Sequence, residues 1–266
     1  MNRRTFIGAL SGAVVGSALA KPVRSSLGAD GALKGEKGWQ NPYVTNGLIA
    51  MWDGEWNAGG GVHDSNAAKW VDLSGNGHDL NCFSVPNWGE NGCGVASKDN
   101  VFYTSDAAWF RDCWTSSAGV MVEIVLSNCD ASGPAFGFGG QWGTWQSWDI
   151  QRVGINVVSA NARWRTIASV MGDWAYLSQN SWIVRAWANQ TDVKVWNDKD
   201  TATDSYTYQG YSGNGLAIGS RGDFSQYSSP ALLKATYKSV RVYSHQLTAA
   251  EIASNSAIDK ARFDLP

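Results

Sequence analysis

Hydrophobic and polar residues alternate in several short segments of the chain, and this period of two is typical of β-strands with one buried face. In the most apolar segment, Gly119 to Ser127, four aliphatic residues share one face while Met121, Glu123 and Val125 share the other. This segment predicts a central strand. Long stretches with helical periodicity are absent before Thr248.

A second alternating segment lies near the C-terminus. Val240 and Val242 fall on one face of the predicted strand, and the other face carries Tyr237, Ser239, Arg241 and Tyr243. A helix is predicted to follow, because Thr248 and Glu251 have the spacing of a capping box. Within that helix Ala253, Ala257 and Ala261 recur beside Ile252. These residues predict a shallow apolar stripe that rests on a surface.

Turn residues separate the other predicted strands. Trp70 to Leu73 leads into the tight turn Ser74 to Gly77, and His78 to Phe83 returns, which predicts a hairpin. The segments at Trp182 and Val193 are predicted to pair with each other. The chain therefore reads as many short antiparallel strands with one terminal helix.

These segments carry a family resemblance. Ser239 to Ile252 resembles the closing motif of laminin-G-like domains, usually V-R-I-Y-x-x-x-L-[ST]-x-x-E-I, in the concanavalin A-like lectin/glucanase superfamily. Further stretches match in the same order: Trp52 to Gly54, Trp70 to Gly77, Trp182 to Trp187, Val193 to Asp198 and Leu216 to Gly219. The resemblance covers residues 44 to 263. It implies an all-β fold, a two-sheet antiparallel β-sandwich (jelly roll, concanavalin A-like) with a short C-terminal helix, and says much less about activity.

Composition agrees with a single β domain. The chain has 266 residues, including 30 glycines and 15 tryptophans, and nothing inside it has the composition of an interdomain linker. The formal net charge is −2, so the basic footprint of a nucleic-acid-binding protein is missing. We expect no nucleic-acid partner.

The first 20 residues have the pattern of a secretory signal. Arg3 and Arg4 precede a short apolar run that ends in Ala18-Leu19-Ala20, a small-residue cleavage site. The paired arginines resemble a twin-arginine leader, although an ordinary leader carries the same charges. We predict export to the periplasm, cell surface or medium, a flexible linker over 21–41, the sandwich over 42–266, and no transmembrane anchor in the mature chain.

The four cysteines are an even number in a chain that is predicted to be exported. Cys82, Cys93, Cys113 and Cys129 allow three sets of pairings, of which Cys82 with Cys93 is preferred. The alternative is that all four are free, because a sandwich of this length buries enough core without cross-links.

Paired carboxylates on one face of a strand would indicate glycoside hydrolysis, because enzymes of the superfamily that this chain resembles place acidic residues in that way. Only Glu123 lies inside a clear strand, and its neighbours on that face, Met121 and Val125, are apolar. Asp53 and Glu55 could share a face, although Gly54 favours a turn or a cation-binding loop. We expect no catalytic residues.

Calcium is the cofactor that the family resemblance suggests. Asp72, Asp79 and the turn between them offer hard oxygen ligands. The simpler interpretation, which we prefer, is that these aspartates stabilise the turn by bonding its own backbone. No metal ligands are assigned.

Tryptophan is concentrated in one polar segment. Trp142, Trp145 and Trp148 lie within seven residues, among glycine, serine, threonine and glutamine. Indole faces can stack on sugar rings while nearby polar groups bond the hydroxyls. We predict a ligand surface formed by Trp142, Trp145, Trp148, Gln141, Gln146 and Asp149. Alternatively, these tryptophans only close the ends of the sandwich.

Five other tryptophans have alternating neighbours and are predicted to be core or strand residues: Trp164, Trp174, Trp182, Trp187 and Trp196. The preferred function is an exported, non-catalytic module that binds a polysaccharide or glycan. The alternatives are a surface domain that adheres to a protein partner and, third, a hydrolase or lyase of the same fold.

Overall fold

The computed structural model describes residues 39–128, 133–139, 147–152, 160–165, 182–198, 201–205, 215–220 and 233–266. These residues form two antiparallel β-sheets that pack face to face. The predicted all-β sandwich with a short C-terminal helix is confirmed. Among the described residues, no helix is both long and apolar enough to cross a bilayer.

The first sheet has eight strands. They are β1 (Leu48–Asp53), β4 (Asn87–Gly89), β5 (Gly92–Val95), β7 (Val120–Ser127), β11 (Ile183–Ala188), β12 (Asp192–Trp196), β13 (Thr201–Ser205) and β15 (Ala235–Tyr243). Their order is β13-β12-β11-β7-β15-β5-β4, with β1 paired to the second half of β15. Strand β7 is central, as predicted.

The second sheet has seven strands. They are β2 (Lys69–Trp70), β3 (Leu80–Cys82), β6 (Phe102–Thr104), β8 (Gly133–Gly139), β9 (Ser147–Arg152), β10 (Ala160–Arg165) and β14 (Leu216–Ile218). Their order is β10-β9-β8-β14-β6-β3-β2. The predicted hairpins are confirmed: β2 pairs with β3, and β11 pairs with β12.

The core lies between the sheets and is rich in aromatic residues. Alternate residues of β7, namely Val120, Val122, Ile124 and Leu126, enter it as the two-residue period predicts. From the second sheet, Phe102, Phe136 and Phe138 meet them. Two short helices complete the described fold: α1 (Ala108–Trp114), which buries Phe110 and Trp114, and α2 (Ala249–Phe263).

The prediction of which β15 residues share a face is wrong in part. Tyr237 belongs to the core with Val240 and Val242, whereas Ser239 does not. The register of β15 against β7 shifts between Tyr237 and Ser239. A bulge inserts one residue and moves all preceding side chains to the opposite face, which sequence alternation cannot reveal.

The buried face of α2 also differs from the prediction. The alanines Ala253, Ala257 and Ala261 are exposed. The helix instead buries Asn255, Asp259 and Phe263, which are four residues apart. The capping box is confirmed, since Thr248 Oγ1 accepts from Glu251 N and Glu251 Oε2 accepts from Thr248 N.

The cysteine pairing that the sequence favoured is not formed. Cys82, Cys93 and Cys113 are free thiols, and Cys129 lies outside the described residues. Cys93 is completely buried, and burial raises the pKa of its thiol. Such a cysteine packs as a small apolar residue.

Trp39, which lies within the predicted linker, is half-buried. Its ring packs edge-on against Trp56, with centroids 5.4 Å apart. It also covers Gly60, where an added Cβ would lie 2.4 Å from the indole. Trp39 is thus part of the packed structure.

Candidate functional site

Four of the predicted ligand-binding residues, Gln141, Trp142, Trp145 and Gln146, lie outside the described residues. The other two, Trp148 and Asp149, are on β9, where the backbone is described. The backbone of position 148 pairs with position 138, and that of position 149 with position 137.

Two buried acidic residues, Glu123 and Asp259, meet between the first sheet and α2. Glu123 on β7 lies directly opposite Arg185 on β11 and Arg241 on β15. Glu123 Oε1 accepts from Arg185 Nε at 2.8 Å, and Oε2 accepts from Arg241 Nε at 3.2 Å. All three side chains are at most 1% exposed.

The helix supplies the remaining partners of these charges. Asn255 donates to Glu123 Oε2 at 2.7 Å. Asp259 accepts two hydrogen bonds from the Arg241 guanidinium, one of them 2.9 Å long. Asp259 Oδ1 also accepts from the hydroxyl of Tyr43 at 2.8 Å. We call Glu123, Arg185, Arg241 and Asp259 the buried ion-pair network.

The electrostatics of the network keep Glu123 ionised. Burial raises the pKa of Glu123, but Arg241 and Arg185 lower it by more, so it lies below its ordinary value of 4.5. A general acid in a glycosidase needs the opposite shift, since it must hold a proton near neutral pH. Glu123 is therefore suited to holding two arginines and α2 in place.

Asp53 and Glu55 meet a cation from the same helix. Both oxygens of Asp53 accept from the Arg262 guanidinium at 2.7 and 2.9 Å, and Glu55 accepts from it at 2.8 Å. Asp53 is completely buried and also accepts from the backbone amides of Glu55 and Trp56. Asp53 therefore caps a turn, and both carboxylates bind the guanidinium of Arg262.

The turn suggested for calcium is organised by the Asp72 carboxylate. Oδ1 accepts from the amides of Met51 and Ser74, both at 2.9 Å. Oδ2 accepts from Ser74 Oγ at 2.8 Å and from the amide of His78 at 2.9 Å. Four donors occupy this carboxylate, which matches its predicted role as a turn stabiliser. Within the described part of the chain, no three His, Cys, Asp or Glu residues are grouped to hold a metal.

The second sheet presents a different outer face. Phe83, directly after β3, is 55% exposed and stacks on Tyr103 of β6, with ring centroids 4.6 Å apart and planes at 26°. Asn81 pairs with Tyr103 across the strands, and Lys69 pairs with Asn81; both are exposed. We call Phe83, Tyr103, Asn81 and Lys69 the aromatic ledge.

Sequence reasoning missed the ledge. Its signal was the alternation of Leu80 and Cys82, which face the core, with Asn81 and Phe83. An aromatic residue among the polar positions of a strand predicts an exposed ring. Strand β3 has only three residues, however, which are too few to reveal a two-residue period of hydrophobicity. Trp182, predicted as a core or strand residue, is 39% exposed and precedes β11.

Comparisons with known proteins support the fold alone. No protein-family model matches the chain, and no curated protein matches it. A Trypanosoma rangeli sialidase in complex with sialic acid is similar in structure, with a TM-score of 0.55 and 14% identity over 78% of this chain and 32% of the sialidase. A mutant of that enzyme displaying trans-sialidase activity has a TM-score of 0.51 and 11% identity. The match covers 81% of this chain and 33% of the mutant enzyme.

This chain thus spans about a third of the length of the sialidases that it resembles. These neighbours are sialidases and not laminin-G-like proteins, so the predicted family resemblance is supported only at the level of the β-sandwich. At such low identity the likeness carries no assignment of activity.

Proposed function

We propose that the protein is a non-catalytic carbohydrate-binding module of the laminin-G-like type that recognises a polysaccharide or glycan. The observation that carries this proposal is the state of the carboxylates on the first sheet. Glu123 and Asp53 are buried against arginines, and Glu55 shares Arg262 with Asp53. Neither arrangement leaves a nucleophile and an acid facing each other across a groove.

The carbohydrate part of the proposal has two supports. A sialidase solved in complex with sialic acid is similar in structure over 78% of this chain. The predicted tryptophan-rich segment, with Trp142, Trp145 and Trp148, has the residue types that stack on sugars and bond their hydroxyls. Gln141, Gln146 and Asp149 are its proposed polar contacts.

A glycan array combined with a hydrolysis assay tests this function. The purified protein is expected to retain at least one class of oligosaccharide and to release no sialic acid from 3'-sialyllactose. Trp145→Ala is expected to weaken binding by about tenfold if one stacking indole is lost. Turnover of 3'-sialyllactose, or an array on which nothing is retained, would contradict the proposal.

We also propose that the module acts outside the cytoplasm after removal of residues 1–20. Its support is the sequence pattern of Arg3, Arg4 and the small-residue site at Ala20. Sequencing the N-terminus of the protein recovered from a secreting host is expected to begin at Lys21. Retention of Met1 in the recovered protein would argue against it.

A further inference from the structure

The aromatic ledge combines the two kinds of group that a sugar requires. Phe83 lies over half exposed on Tyr103, so a flat apolar surface faces outward on the sheet. Asn81 and Lys69 follow along the same row, one and two strands away from Tyr103. Strand spacing sets them about 5 and 10 Å from Tyr103.

We propose that the ledge is a saccharide-binding platform. The apolar face of one pyranose ring stacks on Phe83, and the ring's hydroxyl or carboxylate groups bond the Asn81 amide and the Lys69 ammonium. This inference rests on the proposed function, and it adds a location in the described structure and the chemistry of the ligand.

The size of the ledge favours a sugar over a protein partner. An aromatic side chain contributes about 150–250 Å² when fully buried, so two partly covered rings offer at most about 300 Å². A stable protein interface needs about 800 Å² from each partner. The polar groups of Asn81 and Lys69 also limit the apolar area on one side.

The position of the ledge agrees with this use. Among the described strands it lies near one edge of the second sheet, where β2 is the last strand. Phe102 is buried in the core and Cys82 packs against it, so the residues that alternate with the ledge anchor both strands. An aromatic side chain has few rotatable bonds and loses little conformational entropy when a ligand binds.

The test measures binding to immobilised neutral and acidic oligosaccharides, including lactose and 3'-sialyllactose, by the full chain and four variants. Phe83→Leu keeps apolar bulk but removes the ring, and we expect affinity to fall by about tenfold. Phe83→Trp retains a stacking ring and is expected to bind within about threefold of the parent protein.

Val85→Ala is the matched control. Val85 is 57% exposed and lies two residues after Phe83, but it has no ring. We expect its binding to change by less than about twofold, because scattered exposed aliphatic residues contribute little. Thermal unfolding of every variant checks the fold, with melting temperatures expected within about 4 °C of the parent protein.

Lys69→Met separates neutral from acidic ligands. If the ammonium bonds a carboxylate, the variant loses up to about fivefold affinity for acidic oligosaccharides, and the loss shrinks at high salt. For a neutral ligand the loss is equal at all salt concentrations. Either loss supports the platform and identifies the ligand class, whereas unchanged affinity for both neutral and acidic oligosaccharides would contradict the contact from Lys69.

Failure of the platform is distinct from failure of the function. If the parent protein binds glycans and Phe83→Leu binds equally well, or if Val85→Ala loses as much as Phe83→Leu, the platform is wrong while a saccharide-binding function stands. Loss on Trp145→Ala alone would place the site on the tryptophan-rich segment. If the parent protein binds no oligosaccharide, both proposals fail.

Discussion

The outer faces of the two sheets are built for opposite purposes. On the first sheet α2 covers ionised side chains, and Glu123, Arg241 and Asp259 are fully buried there. On the second sheet the aromatic ledge leaves Phe83 55% exposed. Charge is thus buried on one outer face, and an apolar ring is exposed on the other.

The comparison also explains why buried acids are weak evidence for catalysis in this fold. A buried ion pair is retained only if nearly every donor and acceptor is satisfied. Glu123 meets this condition with two arginines and Asn255. The two arginines thereby hold Glu123 in its ionised form.

Breaking the network should have the largest effect on stability. Arg241→Met leaves Glu123 and Asp259 without their shared cation, and we expect the free energy of unfolding to fall by about 3–5 kcal/mol. Lys260→Met is the control, because Lys260 is 43% exposed and lies 3.5 Å from Asp198. It should cost less than about 1 kcal/mol in the same urea titration. Equal losses would show that burial of the network contributes nothing.

The charge of Glu123 gives the network a pH dependence. Because its folded pKa lies below the ordinary value of 4.5, ionised Glu123 stabilises the fold above about pH 4.5. That contribution is lost as the pH falls through the folded pKa. Glu123→Gln should therefore cost about 2 kcal/mol at neutral pH and progressively less below pH 4.5. A difference that is constant between pH 7 and pH 3 would contradict this account.

Removing the N-cap of α2 should have a smaller effect on the free energy of unfolding. Thr248→Ala removes the side-chain cap and should cost about 1 kcal/mol, because the Glu251 amide loses its acceptor. Ser254→Ala, at an exposed position inside the helix, should be neutral or slightly stabilising. Both are measured by thermal unfolding. If Ser254→Ala costs as much as Thr248→Ala, the cap does not anchor the helix.

The smallest effect is expected on the exposed face. Phe83→Ala should lower the free energy of unfolding by less than about 1 kcal/mol, since the ring is mostly in solvent. Phe102→Ala, whose ring is completely buried in the core, should cost about 3–5 kcal/mol. A comparable cost at both positions would mean that Phe83 has a structural role.

Local patterns in the sequence predicted much of the fold. The period of two located β7, and the spacing of Thr248 and Glu251 located the start of α2. Both signals arise within a few residues, from side-chain alternation and from the geometry of one helical turn.

Local sequence patterns could not predict the buried ion-pair network. The neighbours of Glu123 along its own strand are apolar, and its partners Arg185 and Arg241 come from two other strands through register. The buried face of α2 is polar at Asn255 and Asp259. The apolar stripe of alanines therefore predicted the wrong face of the helix as the buried one. Non-local pairing decides both features.

Mapping a bound oligosaccharide by amide chemical shifts tests the central claim most directly. The glycan retained most strongly on the array is titrated into the ¹⁵N-labelled protein. We predict that shifts concentrate on β2, β3 and β6 around Phe83 and on residues 141–149, while the amides of α2 and of β7 around Glu123 stay unchanged. Shifts centred on Glu123, Arg241 and Asp259 would show that the buried ion-pair network opens to the ligand, and would contradict the division between a closed face and a binding face.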